Sequence, residues 1–384
     1  MTTVKTTKSL CFVATDAISF NVLYQGQLEY LSERGHRLTL VCGGKMRELQ
    51  TLRDRNVGAV VPVGLVRPPR PLADLRALVQ LIRHFGRQRY DVVVVTTPKA
   101  ILLGALAAAF RRQSRRVIFF QGRVYENFSG ISRTLYRLLD RLAASCAHEV
   151  LFVSRSLMDE YCRDAAIYAR KGRVLGAGSG NGVSATRFDP VVRQAPSTRH
   201  LRAQLGLADG EFVAMAIGRI CADKGLVELE ALVGRAARED SRIRFVLVGP
   251  VEDGAGVAFE RLMARRNVLH VGFTSDVASY LALADVHLFL THREGFGNVA
   301  VEAAAMGVPT IAFDVVGVRD SVANGISGTK VPFGNVDAVW KALQEMCRDP
   351  LAASNQYVKA RHWVLENFAQ ERVWELYGDF YEQG

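Results

Sequence analysis

Short, unbroken apolar runs alternate along the first half of the chain with longer stretches whose apolar residues recur every three or four positions. The runs at 10–15, 37–42, 60–63, 92–97, 117–120, 150–154 and 174–175 read as strands. VVVV (92–95) and VIFF (117–120) have no polar alternate, the pattern of strands covered on both faces of a parallel sheet. QGQLEYLSERG (25–35) and SRTLYRLLDRLAASCA (132–147) read as helices, the first closed by Gly35. The second half repeats the rhythm, with strands at 212–217, 244–248, 268–271, 286–290 and 310–313. Its helices are expected at 224–239, 277–284, 298–306, 336–347 and 351–382. Strand–helix alternation through both halves predicts an α/β protein of two Rossmann-like domains. DPVVRQAPSTRH (189–200) has two prolines and no period, and reads as the linker. The expected division is 1–190, 191–360 and a C-terminal helix at 361–384 with an aromatic stripe.

Composition narrows the function. The 384 residues are 49% hydrophobic, enough for two cores without staples. The six cysteines are scattered, with no CxxC, so neither a zinc site nor a disulfide framework is expected. The N-terminus lacks the apolar core of a secretion signal, and no uncharged apolar stretch reaches membrane-spanning length. The net charge of +11 is unevenly spread. Residues 1–190 hold 29 Lys and Arg against 14 Asp and Glu, whereas residues 191–384 hold 20 against 24. An arginine-rich half points to an anionic partner: phosphorylated substrate, phospholipid surface or nucleic acid. Nucleic acid is disfavoured, because the basic half lacks the aromatic–basic motifs of known readers.

The densest chemistry lies at THREGFGNVAVEAAAMGVPTIAF (291–313). A buried strand runs into a loop of Glu294, Gly295, Phe296 and Gly297, and a helix opens near Asn298, itself a plausible N-cap. Glycines let backbone N–H groups approach a ligand, and a helix N-terminus presents free donors and a positive dipole end, together a seat for a diphosphate. Glu294 and Glu302 bracket that seat: Glu302, about one turn inside the helix, either favours its dipole or accepts hydrogen bonds from a ribose, and Glu294 is placed to accept them from a sugar ring. AIGRICADKGLVELEAL (216–232) places Arg219 and Lys224 on the loop after another strand. Two cations facing a helix N-terminus suit a nucleotide diphosphate.

Glu294-Gly-Phe-Gly-Asn-Val-Ala-Val-Glu302 resembles the E-x7-E motif of retaining glycosyltransferases of family 4, which have the GT-B fold. Gly218-Arg219 through Lys224-Gly resembles that family's G-R-x-x-x-x-K-G segment. The resemblance implies two Rossmann-like domains facing across a cleft, with the C-terminal helix packing back on the first. It implies Glu294, Arg219 and Lys224 as catalytic residues. Gly218, Glu302, Gly295, Phe296, Gly297, Asn298 and Val299 would line the nucleotide-sugar site, with Phe273 and Thr274 near the base. The N-terminal half is similar to capsular-polysaccharide and O-antigen enzymes, whose first domain binds the acceptor. Where many relatives carry a histidine, this chain has Gln121-Gly122-Arg123. Lys99, Arg123, Tyr125 and Glu126 are the acceptor-side candidates, Arg123 for an acceptor phosphate. The glycine-rich GSGNGV (178–183) is either a ligand loop or a turn needing positive φ.

The resulting expectation is a retaining transferase moving sugar from a nucleotide sugar, UDP-linked by resemblance, to a polyprenyl-diphosphate-linked saccharide. It would work in the cytoplasm against an anionic membrane face, with Arg111, Arg112, Arg115 and Arg116 as first contacts and Arg67, Arg70 and Lys99 as second. No Asp-x-Asp occurs, so neither metal nor other cofactor is expected, the Arg219/Lys224 pair supplying the charge. A nucleotide-sugar-binding protein without transfer activity, and a GT-B-like epimerase or phosphorylase, remain as alternatives.

Overall fold

The computed structural model describes residues 7–126, 128–240 and 242–383. The chain forms two compact units, one of Met1–Gly182 with Gln370–Gly384, the other of Val183–Ala369. The 189–200 segment is folded within the second unit. A 3-10 turn (Pro190–Gln194) leads to a helix (Pro196–Gln204), each with proline in its first turn, where no N–H is needed. The two prolines therefore start elements instead of marking a linker.

In the first unit the strands are β1 (Ser9–Asp16), β2 (Arg37–Gly43), β3 (Ala59–Pro62), β4 (Val92–Thr96), β5 (Arg115–Phe120), β6 (Glu149–Phe152) and β7 (Gly172–Arg173). They form a parallel sheet in the order β3-β2-β1-β4-β5-β6-β7. The valines of β4 are buried on both faces, with Val94 opposite Phe12 on one side and Val117 on the other. The 98–110 helix packs against this sheet and against the 71–87 and 130–146 helices on either side. Seven of its thirteen residues are buried, and Gly104 sits where a Cβ would come within 2.7 Å of Val95.

The second unit holds β8 (Phe212–Ile217), β9 (Ile243–Val248), β10 (Val268–Gly272), β11 (Val286–Phe289), β12 (Thr310–Phe313) and β13 (Gly328–Val331), all parallel, in the order β10-β9-β8-β11-β12-β13. Strand β13 escapes sequence reading because GTKV has no apolar run. It pairs with β12 because Gly328 lets its backbone lie where a Cβ would be 2.1 Å from Thr310 O.

The long helix expected at 351–382 is three helices, Pro350–Gln356, Ala360–Phe368 and Gln370–Glu382. Ala369 is extended and bridges to Val183. The last helix belongs to the first unit. Arg34 pairs with its Asp379 and Glu382 at 2.8 Å each, and Arg115 lies over the Phe380 ring while donating to Phe380 O at 2.7 Å. The 178–183 loop receives it too: Tyr377 donates to Ser179 O and Trp374 to Asn181 Oδ1. Gly178 and Gly182 take positive φ, so this loop shapes a helix seat.

Candidate functional site

All strands stay parallel, but the strand order of each sheet reverses once, between β1 and β4 and between β8 and β11. Ligands of open α/β sheets bind beyond the strand ends at such reversals. In the second unit, Arg219 and Lys224 follow β8 and Glu294 follows β11, so the two segments singled out in the sequence flank one reversal.

The loop after β8 begins at Gly218, whose φ of +144° suits glycine and whose Cα faces open space. It continues through Arg219 and Cys221 into a single 3-10 turn, Ala222–Lys224. Gly225 then turns the chain into the 226–239 helix, so close to β11 that a Cβ would be 2.2 Å from Leu290 O. Beneath these loops is a small pocket lined by residues including Gly218, Arg219, Lys224, Leu288 and Thr291.

The loop after β11 is tied across to the β8 loop at several points. The His292 N–H donates to Asp223 O at 2.8 Å, and Arg293 reaches Asp223 Oδ2 from Nε at 2.9 Å and Nη2 at 2.6 Å. His292 Nε2 lies 2.8 Å from Glu228 Oε1, and Lys224 Nζ pairs with Glu294 Oε1. The candidate cation and carboxylate are thus each other's counter-ions. Arg219 instead pairs with Glu252 at 2.6 Å, and that hydrogen bond holds the Glu252 carboxyl below the usual range. Asp223, Glu228, Glu252 and Arg293 were not singled out in the sequence, and His292, close to His287 at a strand end, reads there only as a core or cleft-wall residue. Asp223 and Glu228 lie inside 216–232 and Arg293 inside 291–313, segments read for other residues, Glu252 lies outside both, and only proximity reveals their partners.

The 298–305 helix opens next. Its N-cap is Gly297 at φ +96°, not Asn298, which is exposed at the first helical position. A Cβ on Gly297 would meet the Phe289 ring at 2.7 Å and Ser321 Oγ at 2.9 Å, so only glycine lets the loop close here. Gly295 is buried and Val299 half-buried. The Phe296 side chain packs on Phe368 at 5.1 Å between ring centroids and is 3% exposed, so at a ligand site it offers backbone alone. Gly317 presses on the loop from behind, where a Cβ would be 2.7 Å from Glu294 O; no glycine pattern in the sequence marks it.

Glu302 lies beyond the first turn of its helix, so the dipole does not account for it. Burial pushes its carboxyl up to about 7, and Arg187 is the charge that counteracts this. At that value it exchanges protonation states near neutrality. Phe273 is 80% exposed just past the end of β10, and Thr274 accepts the Asp276 N–H at 3.0 Å. His287 is a core residue; burial lowers its pKa to about 3, and Nδ1 lies 3.2 Å from Thr310 Oγ1.

The acceptor-side candidates in the first unit are differently placed. Lys99 donates to Pro68 O and Asp74, at 2.6 and 2.7 Å. The Arg123 side chain is 3% exposed, ringed by Asp164, Glu160 and Glu126 at 3.3, 3.4 and 3.6 Å, and it lies over the rings of Tyr125 and Tyr161. A buried cation needs such matching, and this one has no face left for an acceptor phosphate. Tyr125 is buried on Tyr136, and Glu126 is committed to Arg123. The arginines expected to meet a membrane are corrected too. Arg115 pairs with Glu149 at 2.7 Å and holds the last helix, and Arg116 donates to Cys146 O and Gln113 O; of the four, Arg112 alone is exposed. The reversal in this unit is instead lined by Thr15, Asp16 and Thr97. Thr97 holds φ +67°, strained for a β-branched residue, with its Oγ1 2.8 Å from both Thr15 N and Thr15 Oγ1. Asp16 pairs with Arg67 at 2.6 Å; burial works against its ionisation, but Arg67 and Ser19 outweigh that and hold its pKa low. Among the described residues no group of three His, Cys, Asp or Glu is arranged to hold a metal ion.

With this geometry in view, comparison with known proteins is decisive. Residues 197–363 match the Glycosyl transferases group 1 family, and residues 23–178 match the Glycosyl transferase 4-like domain. The chain belongs to the group 1 and 4-like glycosyltransferases. Over 92% of its length this glycosyltransferase is 28% identical to the capsular polysaccharide biosynthesis glycosyltransferase CapM of Staphylococcus aureus, covering 91% of that protein. Over 84% it is 22% identical to the UDP-Gal:alpha-D-GlcNAc-diphosphoundecaprenol alpha-1,3-galactosyltransferase of Escherichia coli, covering 83% of it. Its fold is that of Anabaena Alr3699/HepE, solved in complex with UDP and glucose: TM-score 0.81, 18% identity, 97% of this chain and 99% of that one. The enzyme is thus an α/β GT-B glycosyltransferase with two parallel-sheet, Rossmann-like domains. No helix among the described residues is long and apolar enough to cross a membrane.

Proposed function

We propose that this glycosyltransferase moves a sugar from a UDP-sugar to a polyprenyl-diphosphate-linked saccharide in surface polysaccharide biosynthesis, with retention at the anomeric carbon and without a metal. The observation carrying this reading is the Lys224–Glu294 pair beside Arg219 and the 298–305 helix N-terminus, all at one sheet reversal. Lys224 leaves Glu294 for the donor diphosphate, and Arg219 supplies a second charge. Glu294, released, accepts hydrogen bonds from the sugar hydroxyls, and Glu302 from the ribose. As the C1–O bond to the diphosphate breaks, these cations and the helix dipole neutralise the UDP leaving group. The acceptor hydroxyl attacks C1 from the same face, and its proton passes to the departing phosphate oxygen. The named activity of the Escherichia coli relative on a diphosphoundecaprenol substrate supports the choice of acceptor, and the UDP complex of the structural neighbour that of donor.

The test is incubation of the purified chain with UDP-sugars and a polyprenyl-diphosphate-linked saccharide, with NMR assignment of the product's anomeric configuration. An α-linked product from an α-linked donor is expected. Inversion at C1 refutes retention; donor turnover without glycosidic product, or none with any UDP-sugar, refutes the donor–acceptor assignment.

A further inference from the structure

Two helices of the first unit turn their apolar residues outward. In the 71–87 helix, Ala77, Leu81 and Phe85 are buried, and the helix packs on the 98–110 helix. At 3.6 residues per turn, the exposed side divides into two strips. Leu72, Leu75 and Val79 form one; Arg76, Arg83 and Arg87 form the other, and none of these arginines is ion-paired among the described residues. In the 130–146 helix, Ile131, Leu135, Leu138 and Leu142 follow one another by 4, 3 and 4 positions, a single stripe. That spacing normally marks the buried seam of a helix, yet Ile131 is 89% exposed and the three leucines about half. The 98–110 helix packs between the two, so all three lie in one layer. The middle helix ends at Phe110, 70% exposed, and exposed Arg112 follows.

Charge selects what covers this face. Of the fifteen Lys and Arg in residues 67–148, Arg70, Arg76, Arg83, Arg87 and Arg112 are exposed and make no ion pair among the described residues, and the same stretch has four Asp and Glu. All four acids are engaged internally: Asp74 with Lys99, Asp91 with Ser9, Glu126 with Arg123, and Asp140 with Tyr161. A second copy of the chain would bring the same positive charge and repel. An interface of anionic headgroups over hydrocarbon matches both strips at once.

We infer that the 71–87 and 130–146 helices form a docking face that lies in an anionic phospholipid surface, leucines entering the acyl boundary and arginines meeting headgroups. The inference extends the lipid-linked-acceptor reading by naming the surface that brings the enzyme to it, and its test needs no sugar. The full chain is co-sedimented with vesicles of phosphatidylcholine alone and of equimolar phosphatidylcholine and phosphatidylglycerol, across a salt series. Binding is expected to the anionic vesicles only and to weaken with salt. Arg76→Gln/Arg83→Gln/Arg87→Gln is expected to weaken it on the order of a hundredfold, at about 1 kcal/mol per charge. Leu135→Ser/Leu138→Ser is expected to weaken it at least tenfold at every salt concentration. Should the double variant lose thermal stability, Ile131→Ser, the most exposed of the stripe, reads the same contact. Turnover of detergent-dispersed acceptor is expected to be unchanged in every variant, and its absence in the parent chain would refute the acceptor reading instead. Wild-type indifference to phosphatidylglycerol, or wild-type binding by the arginine and leucine variants, overturns the inference. A concentration-dependent dimer abolished by the leucine variant also overturns it, assigning the face to a second copy.

Discussion

The two sheet reversals are built alike and furnished differently. At β8/β11 the loops carry Lys224, Glu294, Asp223 and Arg293 and are bound by ion pairs. At β1/β4 the positions are mostly hydroxyls, Thr15, Thr96 and Thr97, beside one ion pair, Asp16–Arg67, with Gln121 Nε2 donating to Thr96 Oγ1 at 3.1 Å. The first unit is nevertheless the strongly basic one. Some of its arginines are internal clamps, as buried Arg123 and half-buried Arg115 are, and others are displayed on outer helices, as Arg76 and Arg83 are. Net charge on a domain therefore does not locate its ligand. A cation that meets one carboxylate at a strand end can be given up to a ligand; a buried cation enclosed by three cannot.

Two arginine-to-alanine or lysine-to-alanine changes put this contrast at risk. Arg123→Ala takes a shared buried cation from Glu126, Glu160 and Asp164, of which Glu160 keeps Arg163 and Asp164 keeps Arg137, and is expected to cost about 3 kcal/mol of stability. Thermal unfolding should show it, while the donor Kd of the folded fraction stays unchanged. A stable variant with weakened acceptor KM would return Arg123 to the acceptor site. Lys224→Ala should do the reverse. Loss of one charge-assisted contact, about 1.5–3 kcal/mol, lowers kcat/KM by at least tenfold with little change in melting temperature. Steady-state kinetics at matched folding decide it.

Glu302 sharpens the comparison through pH. Its carboxyl is raised to about 7, so the folded state keeps a proton that the unfolded chain releases from about pH 4.5 upward. Its contribution to stability thus falls as pH rises through that window, while its capacity to accept ribose hydroxyls grows. Donor KM is expected to fall between pH 6 and pH 8. Glu302→Gln should flatten that trend and melt higher than the parent above pH 7. An unchanged KM profile in the variant would detach Glu302 from the donor. The smallest expected effect is that of EDTA: activity should survive it, and a loss restored by added Mg2+ or Mn2+ would show that Arg219 and Lys224 do not carry the diphosphate charge alone.

Much of this architecture is legible in the sequence. Buried parallel strands announce themselves because both faces must be apolar, so VVVV and VIFF need no tertiary information. Gly218, Arg219, Lys224, Glu294 and Glu302 are nominated by sequence because loop glycines, paired cations and a following helix lie close together in the chain; the fold adds that the loops after β8 and β11 meet at one switch point. The break at Ala369 was not legible, since every residue from 351 to 382 is compatible with helix and only its packing on two different units divides it.

Tertiary structure alone decided which charges are free. Arg123 and Lys224 look equally suited to phosphate on paper. One is enclosed by Glu126, Glu160 and Asp164, drawn from segments up to forty-one residues away, and the other meets a single carboxylate seventy residues along. Burial and pairing depend on what the fold brings alongside, because desolvation and Coulomb attraction act through space and not along the chain. The same reason explains the outward leucines of the 130–146 helix: their spacing is written in the sequence, but the side they face is set by which flank the helix gives to its neighbours.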